Sequence, residues 1–482
     1  MARRRDIVAA RKATGEILVH PATVLAEIDQ QFPESLARLF ELLRFPSVGT
    51  DPKHHEDCRA TADWLVRQLK AMGFAAGLRK TTGQPLVVGS YEPPGGGKHP
   101  HILFYGHYDV QPADPLELWT SPPFEPQIRK GRRGQDAIFA RGSADDKGQL
   151  MTFLEASRSW LKVHGSLPFR LTVMIEGDEE SDPAHIDTFL RQHAHEFPVD
   201  AAFICDTGMW NAKTPGIDTR LRGCMGIEFT VIGPKIDLHS GLYGGPVQNP
   251  IKLASRIIAA IHDKRGRIAI PGFYDGVKPI PPKLRRQWAA LKFPAKKFLA
   301  DVGLGIPAGE QGYSALEQMW ARPTAEVNGI YGGYRGVGSK TVLPAEATAK
   351  LTFRLVEGQD PKKIRAAFKA FVKARLPADC KVRFDDSGGN SAGIAVSEDT
   401  PWIKAARAAL KAEFGREAVL MGAGYSIPVV ESFKKYLKVD SLLTGFGLAD
   451  DNAHSPDEKY DVASFRHGTR AWARIIAQFA GK

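Results

Sequence analysis

The sequence predicts an α/β fold interrupted by an inserted α+β domain, and three observations lead there. Short apolar, β-prone runs (ILFYG, LTVMI, AAFIC and SLLTGFG) each run out into acidic residues or histidine, as strands do at the ligand-binding edge of an open α/β sheet. Between about Thr219 and Gly393 the pattern changes to strict alternation of apolar and polar residues, the mark of half-exposed antiparallel strands. The 482-residue length exceeds one typical core, so two domains are expected, each large enough to bury a core without covalent staples. The expected division is 1–218 and 394–482 for a domain in two parts, with 219–393 inserted between them.

The first elements are scaffold. Leu36, Leu39, Phe40 and Leu43 fall at i, i+3, i+4 and i+7, one face of a helix, and a second helix carrying Ala62, Leu65, Val66 and Leu69 is expected to stop at Gly73. After the loop YEPPGGGKHP, ILFYG reads as a buried strand that leaves His107 and Asp109 at its C-terminal end. The stretch FARGSADDKG, 139–148, comes next and precedes a helix with Leu150, Phe153, Leu154, Ser157 and Leu161 at helical spacing. Asp145 falls in the turn before that helix, where free N–H groups and the helix dipole favour a carboxylate. LTVMI then leads into Glu176–Ser181, AAFIC into Asp206, and SLLTGFG through LADDNAHSP to His454.

In the insertion, IEFTVIG and LTFRLVE alternate apolar with polar residues, and each is followed by a helix. One opens with Asn249-Pro250, a capping side chain and a proline at the first helical position, and repeats Leu253, Ile257, Ile258 and Ile261. The other repeats Ile364, Phe368, Phe371 and Val372.

Composition narrows the function classes. Formal charge is +11, but Lys and Arg are dispersed apart from ARRR at 2–5 and RKGRR at 129–133, so the excess reads as solvated surface and no nucleic-acid partner is expected. No apolar run approaches the roughly 20 residues of a membrane span, and no signal-type apolar core follows Arg3–Arg5. A soluble cytoplasmic protein without membrane association is the expectation. Cys58, Cys205, Cys224 and Cys380 form no CxxC pair and read as buried, reduced thiols.

His107, Asp145, Glu180, Asp206 and His454 bring two imidazoles and three carboxylates to successive strand ends. Such a donor set suits two divalent ions, because one shared carboxylate lowers their mutual repulsion and fixes their spacing. Singly, each residue has a plainer reading: a hydrogen-bonded strand-end histidine, a turn aspartate at 109 or 145, a solvated helix start at Glu179-Glu180. Their joint occurrence, in this order, carries the metal reading.

The motifs GHYDV, ARGSADDKGQ, EGDEES, CDTG, DLHSGLYGG and DDNAHSPDE together resemble the dinuclear zinc peptidases and aminoacylases that include carnosine dipeptidases, glutamate carboxypeptidase and succinyl-diaminopimelate desuccinylase. RGCMGIEF, IPGFYDG, GSKTVLP and FRLV, in order within the insertion, are most similar to the carnosine dipeptidase branch. The resemblance implies a mixed-sheet, zinc-exopeptidase-like catalytic domain and a ferredoxin-like lid and dimerisation domain. It implies two divalent ions, zinc with manganese or cobalt as alternatives, bridged by Asp145; one would also bind His107 and Asp206, the other Glu180 and His454. Asp146 would stand behind the ligands or at the helix start. Asp109 would take the second N–H of His107, and Glu179 would be the general base for water held between the ions. His239 would reach a neighbouring subunit's site, making the protein a homodimer, while Arg354, Thr341 and Ser426 would hold the substrate. Two departures bear on specificity: Tyr425 stands where a glycine is common and Gly422 where an arginine often sits. The implied activity is hydrolysis of a peptide bond in a small carboxylate-bearing substrate such as a dipeptide. The alternative is deacylation of N-acyl amino acids by the same site.

Overall fold

The computed structural model describes residues 21–480 except 97, 183 and 387; the Arg3–Arg5 cluster lies outside them. The chain divides into two compact units, one running through Asp218 and resuming at Ser397–Met421 and Ser432–Lys482, the other comprising Thr219–Val396 and Gly422–Glu431.

The first unit is built on a mixed sheet. Of its nine strands, those that position the site are β1 (Ala75–Arg79), β2 (Leu86–Tyr91), β3 (His101–His107), β6 (Arg170–Glu176), β7 (Ala201–Ile204) and Ser441–Leu443, in the order β1-β2-β6-β3-β7 followed by Ser441–Leu443; Gly216–Leu221, Ile394–Ala395 and Val419–Ala423 continue the sheet beyond it. β3 pairs in parallel with β6 and β7, and Ser441–Leu443 in parallel with β7. β1 and β2 add an antiparallel edge. All seven residues of β3 are buried, which is why ILFYG is continuously apolar: a strand covered on both faces has no solvated side to mark with polar residues. The helices Lys147–His164 and Val462–Ala477 meet this sheet through rings, with Phe104 stacked 3.8 Å from Phe153 and Trp472 edge-on to Phe153 at 5.2 Å.

Parallel alignment sends the C-terminal ends of β3, β6 and β7 to one edge, and His107 pairs in register with Glu176 there. Directly beyond β6 comes the EGDEES segment. The helix after FARGSADDKG starts at Lys147 and ends at Gly165, whose φ of +74° suits the left-handed cap position. Gly148 has a different reason to lack a side chain: a Cβ there would collide with the carbonyl oxygen of Ser143. A separate antiparallel sheet of β4 (Gln127–Lys130), β5 (Asp136–Phe139) and Lys459–Asp461 has no counterpart in the sequence reading. These strands are three or four residues long, too short for periodicity to show.

In the second unit, β8 (Gly223–Ile232), β9 (Thr324–Gly332), β10 (Glu346–Leu355) and β11 (Lys381–Asp385) form an antiparallel sheet of order β9-β10-β8-β11. The helices Pro250–Ala259 and Pro361–Lys373 interrupt it in a β-α-β-β-α-β sequence. Asn249 caps the first helix, accepting from the N–H groups of Ile251 and Lys252, and Asp360 caps the second through Lys362. One sheet face and both helices enclose a core that includes Phe229, Phe353 and Phe368. Three further short helices between residues 282 and 321 were not legible as periodic segments.

All four cysteines are free thiols; Cys58 and Cys205 are buried, whereas Cys224 and Cys380 are half-buried rather than fully enclosed. Among the described residues no helix is long and apolar enough to cross a membrane.

Candidate metal centre

At the C-terminal edge of the first sheet, two groups of possible ligands share one residue. His107, Asp145 and Asp206 form one and Asp145, Glu180 and His454 the other, with the ligand atoms of each group within 4.8 Å of one another. The two oxygens of Asp145 are divided between them. Oδ1 lies 3.2 Å from Nε2 of His107, and Oδ2 lies 2.9 Å from Nε2 of His454. Asp206 Oδ2 is 3.8 Å from His107 Nε2, and Glu180 Oε1 is 3.0 Å from His454 Nε2.

Several contacts hold these side chains in place. The His107 ring is fully buried, and its Nδ1 bonds the Asp109 carbonyl at 3.0 Å while the Asp109 carboxylate stands 3.5 Å away. That bond turns Nε2 toward the ligand groups. The Asp109 carboxylate also accepts the backbone N–H groups of Glu179 and Glu180, at 3.2 and 3.0 Å, and so anchors the EGDEES segment. Asp146, joined to Asp145 by a cis peptide bond, is fully buried and accepts the backbone N–H of His107 at 3.1 Å. It stands at the N-terminus of the following helix and braces the strand that carries His107. Gln111 donates to Glu180 Oε2 at 2.8 Å, a contact with no sequence signal. His454 sits at φ +62° between Asn452 at +55° and Asp457 at +54°. Backbone strain of this kind in non-glycine residues concentrates at functional sites.

The electrostatics fit cations. Burial and the neighbouring Asp145 charge push Asp206 up to about 7. Burial likewise raises Glu179 well above the carboxylate range, helped by Asp206, Glu180 and Asp145. Hydrogen bonds to Asp145 and Glu180 lift His454 to about 10. Although burial opposes it, the bonds from His107 and His454 hold Asp145 below its usual value. Crowded carboxylates that retain protons, facing imidazoles that retain theirs, are what two divalent ions would relieve. The mixed imidazole and carboxylate donor set is suited to zinc-like metals. Glu179 belongs to neither ligand group.

The remaining expected residues belong to the second unit. His239, exposed, accepts from the N–H of Gly241 at 3.0 Å and pairs across a short ladder with Val342. Because the Ser240 N–H bonds the carbonyl of Thr341, His239 and Thr341 are neighbours. Arg354, half-buried on β10, pairs with Cys224. Arg222, just before the partner strand, lies close enough to Arg354 for the two charges to interact. Arg222 escaped the sequence reading. It donates to the carbonyls of Gly424, at 3.0 Å, and Arg322, at 3.4 Å, and its pKa is lowered to about 10, first by burial and then by the like charge of Arg354. It thereby holds the turn that carries Tyr425, exposed, and Ser426, half-buried. Gly422 is explained by Trp320: a Cβ would lie 2.7 Å from that residue's Cβ and 3.0 Å from its carbonyl.

Comparisons with known proteins give relatives for the chain as a whole. The model of peptidase family M20/M25/M40 matches residues 103–478. The Cys-Gly metallodipeptidase DUG1 of Candida albicans is 30% identical over 475 residues, covering 92% of this chain and 94% of that protein. The human Beta-Ala-His dipeptidase is 25% identical, covering 79% and 75%. The M20 family metallo-carboxypeptidase Sso-CP2 of Sulfolobus solfataricus superposes with a TM-score of 0.79 at 27% identity, covering 93% of this chain and 99% of that one.

Proton uptake by the metal-free centre gives a direct test. Near pH 6 both His454 and Asp206 carry protons that ligation must displace. Zinc added to metal-stripped protein at about pH 6 is expected to acidify a weakly buffered solution, and less so at about pH 8, where Asp206 is already ionised. Uptake without proton release at the lower pH would contradict this assignment.

Proposed function

The chain belongs to peptidase family M20/M25/M40, and from that premise we propose a metal-dependent dipeptidase in which Glu179 is the general base. One observation carries the reading: the two oxygens of Asp145 face different imidazole–carboxylate pairs while Glu179 stays outside both. When bound, two divalent ions, zinc first with manganese or cobalt as alternatives, would polarise the scissile carbonyl and acidify the attacking water. His107 and Asp206 would hold one and Glu180 and His454 the other, with Asp145 shared. Glu179, whose proton affinity is raised by burial, takes the water's proton and delivers it to the leaving amine.

Arg354 is assigned to the free carboxylate of the substrate, for which a guanidinium fork is geometrically suited. Its half-buried position and the second cation at Arg222 support that role. Thr341 and Ser426 are assigned to substrate contacts, and His239 to the oxyanion of the tetrahedral intermediate. The dipeptide preference rests on the relatives named for Cys-Gly and Beta-Ala-His cleavage. N-acyl amino acids remain the competing substrate class, because Trp320 closes the space beside Gly422 where a specificity-bearing side chain would stand. The free thiols support a reducing compartment such as the cytoplasm.

We read the second unit as a ferredoxin-like lid and dimerisation domain. Ile236, Leu242 and Tyr243, together with Val327, Ile330 and Tyr331 on the edge strand β9, leave apolar surface exposed. Exposed apolar side chains in this number suit an interaction surface, and a second copy of the chain is the occupant that would bring His239 to another active site.

Metal-loaded protein is expected to hydrolyse dipeptides faster than N-acyl amino acids, and to lose activity on chelation. Glu179→Gln is expected to keep its metal and lose about 100- to 10,000-fold in kcat; a near-normal rate would remove Glu179 from the base role. Mixing His239→Ala with Glu179→Gln subunits is expected to regenerate activity. If mixed dimers form and stay inactive, His239 does not act across subunits.

A further inference from the structure

Glu458 closes the DDNAHSPDE motif, four residues beyond His454, and is fully buried. None of the roles assigned above uses it. Its carboxylate faces the segment that carries Asp145 and is saturated by it. Oε2 accepts from Arg141 Nη1 and from the Gly142 N–H, both at 2.8 Å. Oε1 accepts from the Ala144 N–H at 2.8 Å and the Asp145 N–H at 3.1 Å. Arg141, also buried, extends its other nitrogen to the Pro112 carbonyl at 3.1 Å, beyond the segment that holds His107 and Asp109. A single ion pair therefore ties together three loops: those carrying His107, Asp145 and His454.

We propose that Glu458, with Arg141 as its counter-ion, is a positioning residue that sets the separation of the ligand loops and orients Asp145 to face both ligand groups at once. The physical reason is geometric. Asp145 and His454 come from segments 309 residues apart in sequence, and their contact at Nε2 and Oδ2 is held at the other end by the Glu458 bonds. Three consecutive-region N–H groups aimed at one carboxylate also leave the Asp145 side chain free of backbone duties. A neutral amide at 458 cannot substitute, because it would turn an N–H donor toward N–H donors and leave buried groups unpaired. This inference rests on Asp145 being the shared metal ligand.

Metal affinity separates positioning from general stability. Glu155 serves as the control: it is buried in the same helix that follows Asp145, bonded to Ser35 at 2.7 Å and Arg38 at 2.8 Å, and touches none of the ligand loops. Zinc affinity by chelator competition, the visible spectrum of the cobalt-loaded form, and the Tm of the metal-free form are compared for wild type, Glu458→Gln, Arg141→Lys and Glu155→Gln. Glu458→Gln is expected to lose roughly 10- to 100-fold in zinc affinity and to change the cobalt spectrum at saturation, while Glu155→Gln lowers Tm without either effect. Arg141→Lys, which keeps the charge but loses the fork, is expected to fall between wild type and Glu458→Gln and carries the test if the latter does not fold. Wild-type affinity and spectrum in both Glu458→Gln and Arg141→Lys would overturn the proposal, as would equal loss of affinity in Glu155→Gln. Failure of wild type itself to take up metal would instead remove the shared-ligand reading on which it rests.

Discussion

Asp145, Glu179, Glu180 and Asp206 are held close together at one sheet edge, and the repulsion among them is the constraint around which the first unit is arranged. Left to themselves, buried carboxylates at such separations retain protons, as the raised values of Asp206 and Glu179 express. The fold keeps them there by contacts that do not depend on cations. Asp109 holds the backbone of Glu179 and Glu180, Asp146 holds the backbone of His107, and Glu458 holds that of Asp145. Three of the five candidate ligands, His107, Asp145 and Glu180, thus have their main chain fixed by a carboxylate that belongs to neither ligand group.

The parallel centre of the sheet explains why this is possible. β3, β6 and β7 end at the same edge, so residues that follow them are neighbours without long loops. Both faces of β3 are buried, and the stacked Phe104 and Phe153 rings, with Trp472 edge-on to them, fill the layer beneath. In the other unit, Arg222 holds the turn at Gly424 and lies close enough to Arg354 for the two like charges to act on each other.

What the sequence made legible follows from how local each signal is. ILFYG, LTVMI and AAFIC are continuous runs, so the strands and the acidic or imidazole residues after them could be placed, and the alternation in IEFTVIG and LTFRLVE separated the second sheet from the first. Asn249-Pro250 announced its helix correctly. Residue roles that came through motif resemblance, such as Asp145 over Asp146, have no basis in periodicity. The pairing of Arg141 with Glu458 across 317 positions, and of Arg222 with Gly424 across 202, left no trace, because long-range polar contacts carry no repeat. The short strands at Gln127–Lys130 and Lys459–Asp461 escaped for lack of length. For Asp109, the motif pointed to His107 but gave no sign that its carboxylate also holds the backbone of Glu179 and Glu180.

The claim on which the account depends is that one carboxylate serves two ions. Anomalous diffraction from crystals of the metal-loaded protein measures this directly. Two peaks are expected, roughly 3.5–4 Å apart, one beside His107 and Asp206, the other beside Glu180 and His454, with Asp145 between them. A single peak, or two peaks neither of which lies within bonding distance of Asp145, would contradict it.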